Sequence, residues 1–482
     1  MNLAGLLRQH AFGRAENTAL VYHNESISYA ELWRRTVSLS SHLRKTGVLP
    51  GQRVGVALGD HPSYITSYFA VAALGAIFVP IDQRWSTAEK LAAIETFDVR
   101  LYLHDIGDKP PPRQKTLACP TAGFTDGPAD MALVSRSDTD WLVSLSSGST
   151  GRPKGALITQ RQMHARFVTQ WVSLGFSSAD RFALVTPLHF GAGRSFGMSV
   201  LAAGGTLVLL PPPMKPEQLV DAICAAEANV TFMVPTLMRR CLELPGTECL
   251  LPTLRSLVIS GEAYFKEEVA SFQQRLCPHL LGYYASSEGG GVSVLQASDF
   301  ETLGNTVGQA AYGVELELVD DTDTLVGPDQ IGRVRYRGPG VTQRALDDQG
   351  QSESGSDGWF YPGDLGSRSA DGYLTLRGRA KDMIVRAGVN IYPAEIEAAL
   401  ISLEGVREVA VVGVPSSSHG EQVLAFVVGD AAHSALVAHC ESVLAPYKRP
   451  RDIHVLDALP RTAAGKIDKK VLREEDAVHA VD

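Results

Sequence analysis

The run Ser146-Ser147-Gly148-Ser149-Thr150-Gly151-Arg152-Pro153-Lys154-Gly155 carries the clearest chemistry in the chain. Its small residues let successive backbone N–H groups turn toward one point without side-chain clash. Its hydroxyls add hydrogen-bond donors, and Lys154 adds a point charge. A loop of this make-up can cradle polyphosphate. A flexible Ser/Gly linker has a similar composition, but linkers seldom follow an apolar run such as Trp141-Leu142-Val143-Ser144-Leu145 and seldom leave through Pro-Lys-Gly. The G-x-x-x-x-G-K-[ST] spacing cannot be aligned here, so a P-loop NTPase or kinase loses its main support.

Six further segments follow the loop or sit downstream of it: Ser260-Gly261-Glu262-Ala263, Gly282-Tyr283-Tyr284-Ala285-Ser286-Ser287-Glu288, Gly358-Trp359-Phe360-Tyr361-Pro362-Gly363-Asp364, Gly378-Arg379-Ala380-Lys381-Asp382, Gly388-Val389-Asn390-Ile391-Tyr392-Pro393-Ala394-Glu395-Ile396-Glu397 and Pro460-Arg461-Thr462-Ala463-Ala464-Gly465-Lys466-Ile467. In composition and order this set resembles the adenylate-forming superfamily: acyl-CoA synthetases, aryl-CoA ligases, adenylation domains of nonribosomal peptide synthetases, and luciferases. It is most similar to an acyl- or aryl-CoA ligase, and the resemblance runs from Tyr29-Ala30-Glu31-Leu32 to Lys466.

The resemblance implies a role for each match. Ser146, Ser147, Gly148, Ser149, Thr150, Gly151 and Lys154 would hold the phosphates of ATP. Tyr284 would stack on adenine, with backbone groups at Gly261, Glu262 and Ala263 facing the base. Ser287 would sit near the α-phosphate and Glu288 would ligate Mg²⁺, a hard cation that takes oxygen ligands. Asp364 would accept from both ribose hydroxyls, with Arg379 as the second ribose contact. Lys381 falls at the hinge, Gly388 in the loop that moves to the thiol tunnel, and Lys466 at the catalytic lysine. Carboxylate attack on a phosphate brings two anions together, and an ammonium between them offsets the repulsion. The chain departs from the family pattern at Ala285 (usually Gly), Ser287 (usually Thr) and Pro362 (usually Thr or Ser).

For the acid, Thr186-Pro187-Leu188-His189-Phe190-Gly191-Ala192-Gly193-Arg194 aligns with the block flanking the acyl pocket. His189 either orients the carboxylate, as a catalytic residue, or is a satisfied core histidine. Phe190, Gly289 and Gly290 are read as pocket lining, the Gly289-Gly290-Gly291 run leaving the wall open for a flat ring or an alkyl chain. Arg194 either meets an extra anionic group or belongs to a structural ion pair. No Asp occurs between Arg181 and Leu201 to pair with an α-ammonium, which argues against a free amino acid as substrate.

These residues need a scaffold. Arg53 to Leu58 and Ile77 to Pro80 read as strands flanking a helix over Ser63 to Leu74, a βαβ unit. Buried runs at 182–185, 207–210, 230–234 and 257–259 extend the alternation. An α/β protein with mostly parallel sheets covered by helices is expected, followed by a small mobile α+β domain containing the runs 409–414 and 423–428. The expected division is 1–378 for the AMP-binding domain with its acyl pocket, 379–381 for the hinge and 382–482 for the C-terminal domain. Pro110 to Pro112, Pro211 to Pro213 and Asp347 to Asp357 read as surface loops.

Composition closes off other classes. The chain of 482 residues has 44 Lys+Arg against 53 Asp+Glu, a net charge of −9, which argues against wrapping nucleic acid. No stretch reaches the ~20 apolar residues of a membrane span, the N-terminus lacks a signal-peptide pattern, and the six cysteines lie far apart without metal spacing. A cytoplasmic enzyme with reduced thiols is expected. The expected reaction joins an aromatic or medium-chain apolar acid to coenzyme A through an acyl-adenylate, with ATP and Mg²⁺ as cofactors. Loading of a carrier-protein phosphopantetheine is the alternative acceptor, and a non-catalytic nucleotide-binding homologue the alternative of another class.

Overall fold

The computed structural model describes the chain except residues 1, 24, 135–137, 147–152, 211–213, 348–349, 354–356, 387–388, 417–419, 463–466 and 480–482; at 146, 267, 350–353 and 475–479 it describes the backbone alone. Among the described residues the strands form a nine-stranded, an eight-stranded, a four-stranded and a five-stranded sheet.

The two large sheets each have a parallel centre. Arg53–Ala57 pairs in parallel with Ile77–Pro80 and Val99–Asp105, and Ile77–Pro80 with Asp140–Ser146. In the other sheet Arg181–Leu184, Thr206–Leu209, Val230–Met233, Ser256–Ile259 and Leu280–Ser286 are joined by parallel ladders. These strands are buried on both faces, which is why they read as continuous apolar runs rather than alternating ones. The helix Pro62–Ala73 between the first two strands is buried along its whole length, as a helix apolar all round must be. One core joins it to both sheets through residues such as Phe69, Leu103, Leu184 and Phe232.

Two features of the sheets beyond the expected, mostly parallel architecture bear on the site. Both large sheets are mixed, because antiparallel strands finish them: Asp140–Ser146 turns back into Lys154–Thr159, and Leu280–Ser286 into Gly290–Leu295. The segment 347–357 is also not simply a loop, since Gly350–Glu353 pairs with Arg344–Asp347 as an edge hairpin. Its polar side chains gave no strand signal, and an edge strand needs none to close a ladder.

A third, antiparallel sheet of Glu315–Val319, Ile331–Arg337, Asp364–Arg368 and Leu374–Arg379 follows. After the short 3₁₀ turn Ala380–Asp382 the last sheet begins, dominated by the long hairpin Val406–Ser416 and Gly420–Gly429. It packs its own apolar clusters, one around Ile396, Leu400 and Val411 and one around Val412, Phe426 and Leu472.

Candidate active site

Asp364 and Arg379 begin and end an antiparallel hairpin and are cross-strand partners. Arg379 Nε lies 2.7 Å from Asp364 Oδ1, and its Nη1 donates to the Pro362 carbonyl at 3.1 Å. The other carboxylate oxygen accepts from the Tyr284 hydroxyl. Burial first, then the neighbouring Asp364 charge, pushes the Tyr284 phenol well above its ordinary value, so it stays a donor. A β-bulge between Tyr284 and Ala285 breaks the strand register at this point, and bulges of this kind re-aim side chains beside functional sites.

Beyond the bulge the chain turns. The Ser286 hydroxyl accepts from the Gly289 N–H at 2.8 Å and bonds the Tyr336 hydroxyl, so Ser286 builds the turn. Among the described residues the Ser287 hydroxyl and the Glu288 carboxylate take no hydrogen bond or ion pair. An unengaged carboxylate on a tight turn is a fit place for a hard cation. No cluster of three or more His, Cys, Asp or Glu forms a closed metal cage among the described residues, so a cation here would draw its remaining oxygens from phosphate and water.

The turn is held from behind by a residue that no motif announced. Arg166, on the helix Gln160–Leu174, donates through Nε to Gly340 O at 2.8 Å, through Nη1 to Ser287 O at 3.1 Å and through Nη2 to Glu288 O. Thr342 N–H adds a second bond to Glu288 O at 2.9 Å. Arg166 is 6 % exposed, and burial lowers its guanidinium to about 10, still charged at neutral pH.

The glycines after Glu288 do not leave an open wall. A Cβ on Gly289 would stand 2.5 Å from the Tyr336 ring, one on Gly290 2.9 Å from Arg166, and one on Gly291 2.0 Å from the Tyr283 hydroxyl. The missing side chains make room for protein, and the spacing alone could not distinguish that from room for a ligand.

His189 sits at the mouth of another cluster. Its Nε2 lies 3.2 Å from Arg84 Nη2 and 3.2 Å from Asp82 Oδ2, while Arg84 grips Asp82 at 2.8 Å. Burial lowers the imidazole to about 4, outweighing the Asp82 charge. The ring is therefore neutral and Nε2 accepts from Arg84, so the cation at this place is Arg84, which carried no sequence signal. Phe190 stacks at a tilt on His189, with ring centroids 4.2 Å apart, and caps the helix Gly191–Ala203. Arg194 is 3 % exposed and donates to Leu188 O at 2.9 Å and His189 O at 3.0 Å. Among the described residues it makes no ion pair; it binds carbonyls and so shapes the His189 segment.

Gly261 adopts φ +94° in the turn after Ser256–Ile259. Glu262 points its carboxylate back to the helix Pro235–Leu242, accepting from Thr236 N–H at 3.2 Å and Thr236 Oγ1 at 2.7 Å. Ala263 O accepts from Arg239 at 3.4 Å. Lys381 is exposed within the 3₁₀ turn, between Ala380, whose N–H bonds Gly363 O at 2.9 Å, and Asp382, which accepts from Arg473 at 2.7 Å. Lys154 opens its strand 3.9 Å from Asp347 and is paired across the ladder with Ser146. Ser147, Gly148, Ser149, Thr150, Gly151, Gly388 and Lys466 lie outside the described residues.

Comparison with known proteins agrees with this layout. Residues 7–344 match the AMP-binding enzyme family and residues 395–466 the AMP-binding enzyme C-terminal domain. The chain is 31% identical to a feruloyl-CoA synthase of an Amycolatopsis species over 475 residues, 95% of each chain. It is 30% identical to indoleacetate–CoA ligase of Aromatoleum aromaticum, with 98% of each covered. Its fold superposes on ATP-bound MatB from Rhodopseudomonas palustris with a TM-score of 0.89 and 25% identity, covering 98% of this chain and 99% of that one. With both family regions matched in order along nearly the whole length, the chain belongs to the AMP-binding enzymes.

Proposed function

We propose that the chain is an AMP-forming acid–thiol ligase that activates an aromatic carboxylic acid with ATP and passes the acyl group to coenzyme A in the cytoplasm. The observation that carries this reading is the grouping around Tyr336: the Tyr284–Asp364–Arg379 arrangement on one side and the unengaged Glu288 on the other. The similar feruloyl-CoA synthase and indoleacetate–CoA ligase support an aromatic acid.

Attack of the acid's carboxylate on the α-phosphate expels pyrophosphate and leaves an acyl-adenylate. A thiolate then displaces AMP, a far better leaving group than oxide. Asp364 and Arg379 would hold the ribose, exchanging their mutual contacts for its hydroxyls, while Tyr284 fixes the adenine end. Glu288, steadied by Arg166, would hold Mg²⁺, which when bound supplies charge neutralisation on the triphosphate oxygens. Residues 147–151 with Lys154 would cradle those phosphates, and Lys466 would supply positive charge where the two anions meet. Neutral His189 and Phe190 would border the acid. The working division remains 1–378, a pivot at 379–381 and 382–482, with the Gly388 loop serving the thioester step.

The test is pyrophosphate release on adding ATP to a panel of aromatic and alkyl acids, with loss of free coenzyme A thiol followed in parallel. ATP- and acid-dependent pyrophosphate release with thioester formation is expected. No pyrophosphate with any acid would favour a non-catalytic homologue, and pyrophosphate without coenzyme A consumption would move the acceptor to a carrier-protein phosphopantetheine.

A further inference from the structure

The turn after Ser256–Ile259 reaches the C-terminal unit with two side chains. Glu262 Oε1 stands 4.0 Å from Arg461 Nη1, and the same nitrogen donates to Thr236 Oγ1 at 3.3 Å. That hydroxyl in turn donates to Glu262 at 2.7 Å. Arg461 is fixed on its own side by two bonds to Glu408, at 2.8 and 2.9 Å. Phe265, at the end of the same turn, packs against the apolar cluster of Ile384, Ile391 and Ile396. A polar and an apolar contact thus leave one turn and land on separate parts of the small unit. Arg461 also pairs through its backbone with Ile467, the residue after Lys466.

We propose that Glu262, acting through Thr236 and Arg461, is a positioning residue for the first half-reaction: a latch that seats the C-terminal unit in the orientation that delivers Lys466. This rests on the two-step reading given above. The chemistry suits a latch. Both charged side chains are partly exposed, 15% for Glu262 and 26% for Arg461, so the pair is weak enough to open in each turnover. The Thr236 hydroxyl sits between them, accepting from Arg461 and donating to Glu262, so loss of either charge weakens one end of the same path. Phe265 adds an attraction that salt does not screen, while the ionic part is screened.

The experiment compares Glu262→Gln, Arg461→Gln and the double variant with wild type in both half-reactions: acid- and ATP-dependent pyrophosphate release, and thioester formation from presynthesised acyl-adenylate and coenzyme A. Each single variant is expected to lower kcat for pyrophosphate release about tenfold and the double variant also about tenfold, since coupled residues are not additive. The thioester step should stay within about twofold of wild type, which also shows that the variants are folded. Phe265→Ala should give the same split. A double variant slowed about a hundredfold, equal slowing of both half-reactions, or a raised KM for ATP with kcat unchanged would each overturn the latch, the last by making Glu262 a plain nucleotide contact. If the wild type forms acyl-adenylate but no coenzyme A thioester, the acceptor assignment fails, and the coupling measured in pyrophosphate release alone decides the latch.

Discussion

Arg166 keeps a full charge in the interior and spends it on carbonyls. Replacing it by Met would strand the oxygens of Gly340 and Ser287 and leave that of Glu288 to Thr342 N–H alone, and at roughly 1–3 kcal/mol for a buried unsatisfied group a loss of about 2–4 kcal/mol is expected in urea denaturation. Arg166→Lys keeps the charge but not the planar fork. It should raise the Mg²⁺ concentration needed for half-maximal pyrophosphate release several-fold, in the same direction as Glu288→Ala; an unchanged Mg²⁺ titration in both would detach this turn from cation binding. His189 offers a pH test. Its folded value of about 4 lies below the ordinary 6.5, so between those values the unfolded chain binds more protons. The stability that neutral His189 contributes is complete above about pH 6.5 and is lost as pH falls toward 4. Wild type should lose up to about 2 kcal/mol between pH 7 and 5 from this group alone, and His189→Asn should remove that part of the slope. Neither Arg166 nor Arg84 was legible beforehand, since an arginine on a helix or after a strand has no signature until the fold brings carbonyls or a histidine to it. Tyr284, Glu288, Asp364 and Arg379 drew notice because each stands in a short stretch that resembles a family motif, and the fold brings Tyr284, Asp364 and Arg379 into contact from separate strands.

Elements set how closely these groups approach. The strands Leu280–Ser286 and Gly290–Leu295 close on each other with Gly291 beneath the Tyr283 hydroxyl, a buried hydroxyl without a partner among the described residues. Gly291→Ala is therefore an overpacking change, expected to cost about 1–3 kcal/mol. Tyr283→Phe alone should cost little, and in that background Gly291→Ala should cost less than in wild type; equal penalties in both backgrounds, read from denaturant midpoints, would mean that the alanine is resisted by something other than the hydroxyl. The parallel strands and the Pro62–Ala73 helix were readable as apolar runs of distinct length. The antiparallel strands Lys154–Thr159 and Gly290–Leu295 were not, because turning back or crossing over depends on which neighbour has a free ladder edge. The polar strand Gly350–Glu353 shows the same limit, as pairing there owes nothing to side-chain pattern.

Across the whole molecule, no helix among the described residues is long and apolar enough to cross a membrane, and the small C-terminal unit holds apolar clusters of its own. The division near 379–381 was read from the sequence, but the contacts that reach that unit, Glu262 with Arg461 and Phe265 with the cluster that holds Ile396, join residues far apart in the chain and needed the fold. If the unit pivots at 379–381, Lys381→Pro, which fixes φ near −65° and removes an N–H, should slow the thioester step far more than adenylation. Lys466→Ala should do the reverse, costing ~10²–10³ in pyrophosphate release. Assaying both half-reactions on both variants checks the pair, and matching losses would count against a two-state pivot. The strand Leu374–Arg379 ends on the residue that pairs with Asp364, and the next residue, Ala380, is tied to Gly363. If a ribose is held between Asp364 and Arg379 as proposed, it would stiffen the place where the small unit hangs. By reciprocity, whatever factor the bound nucleotide exerts on that unit's preferred pose, the pose must exert on nucleotide affinity, so departure of AMP and return of the unit would be two readings of one equilibrium.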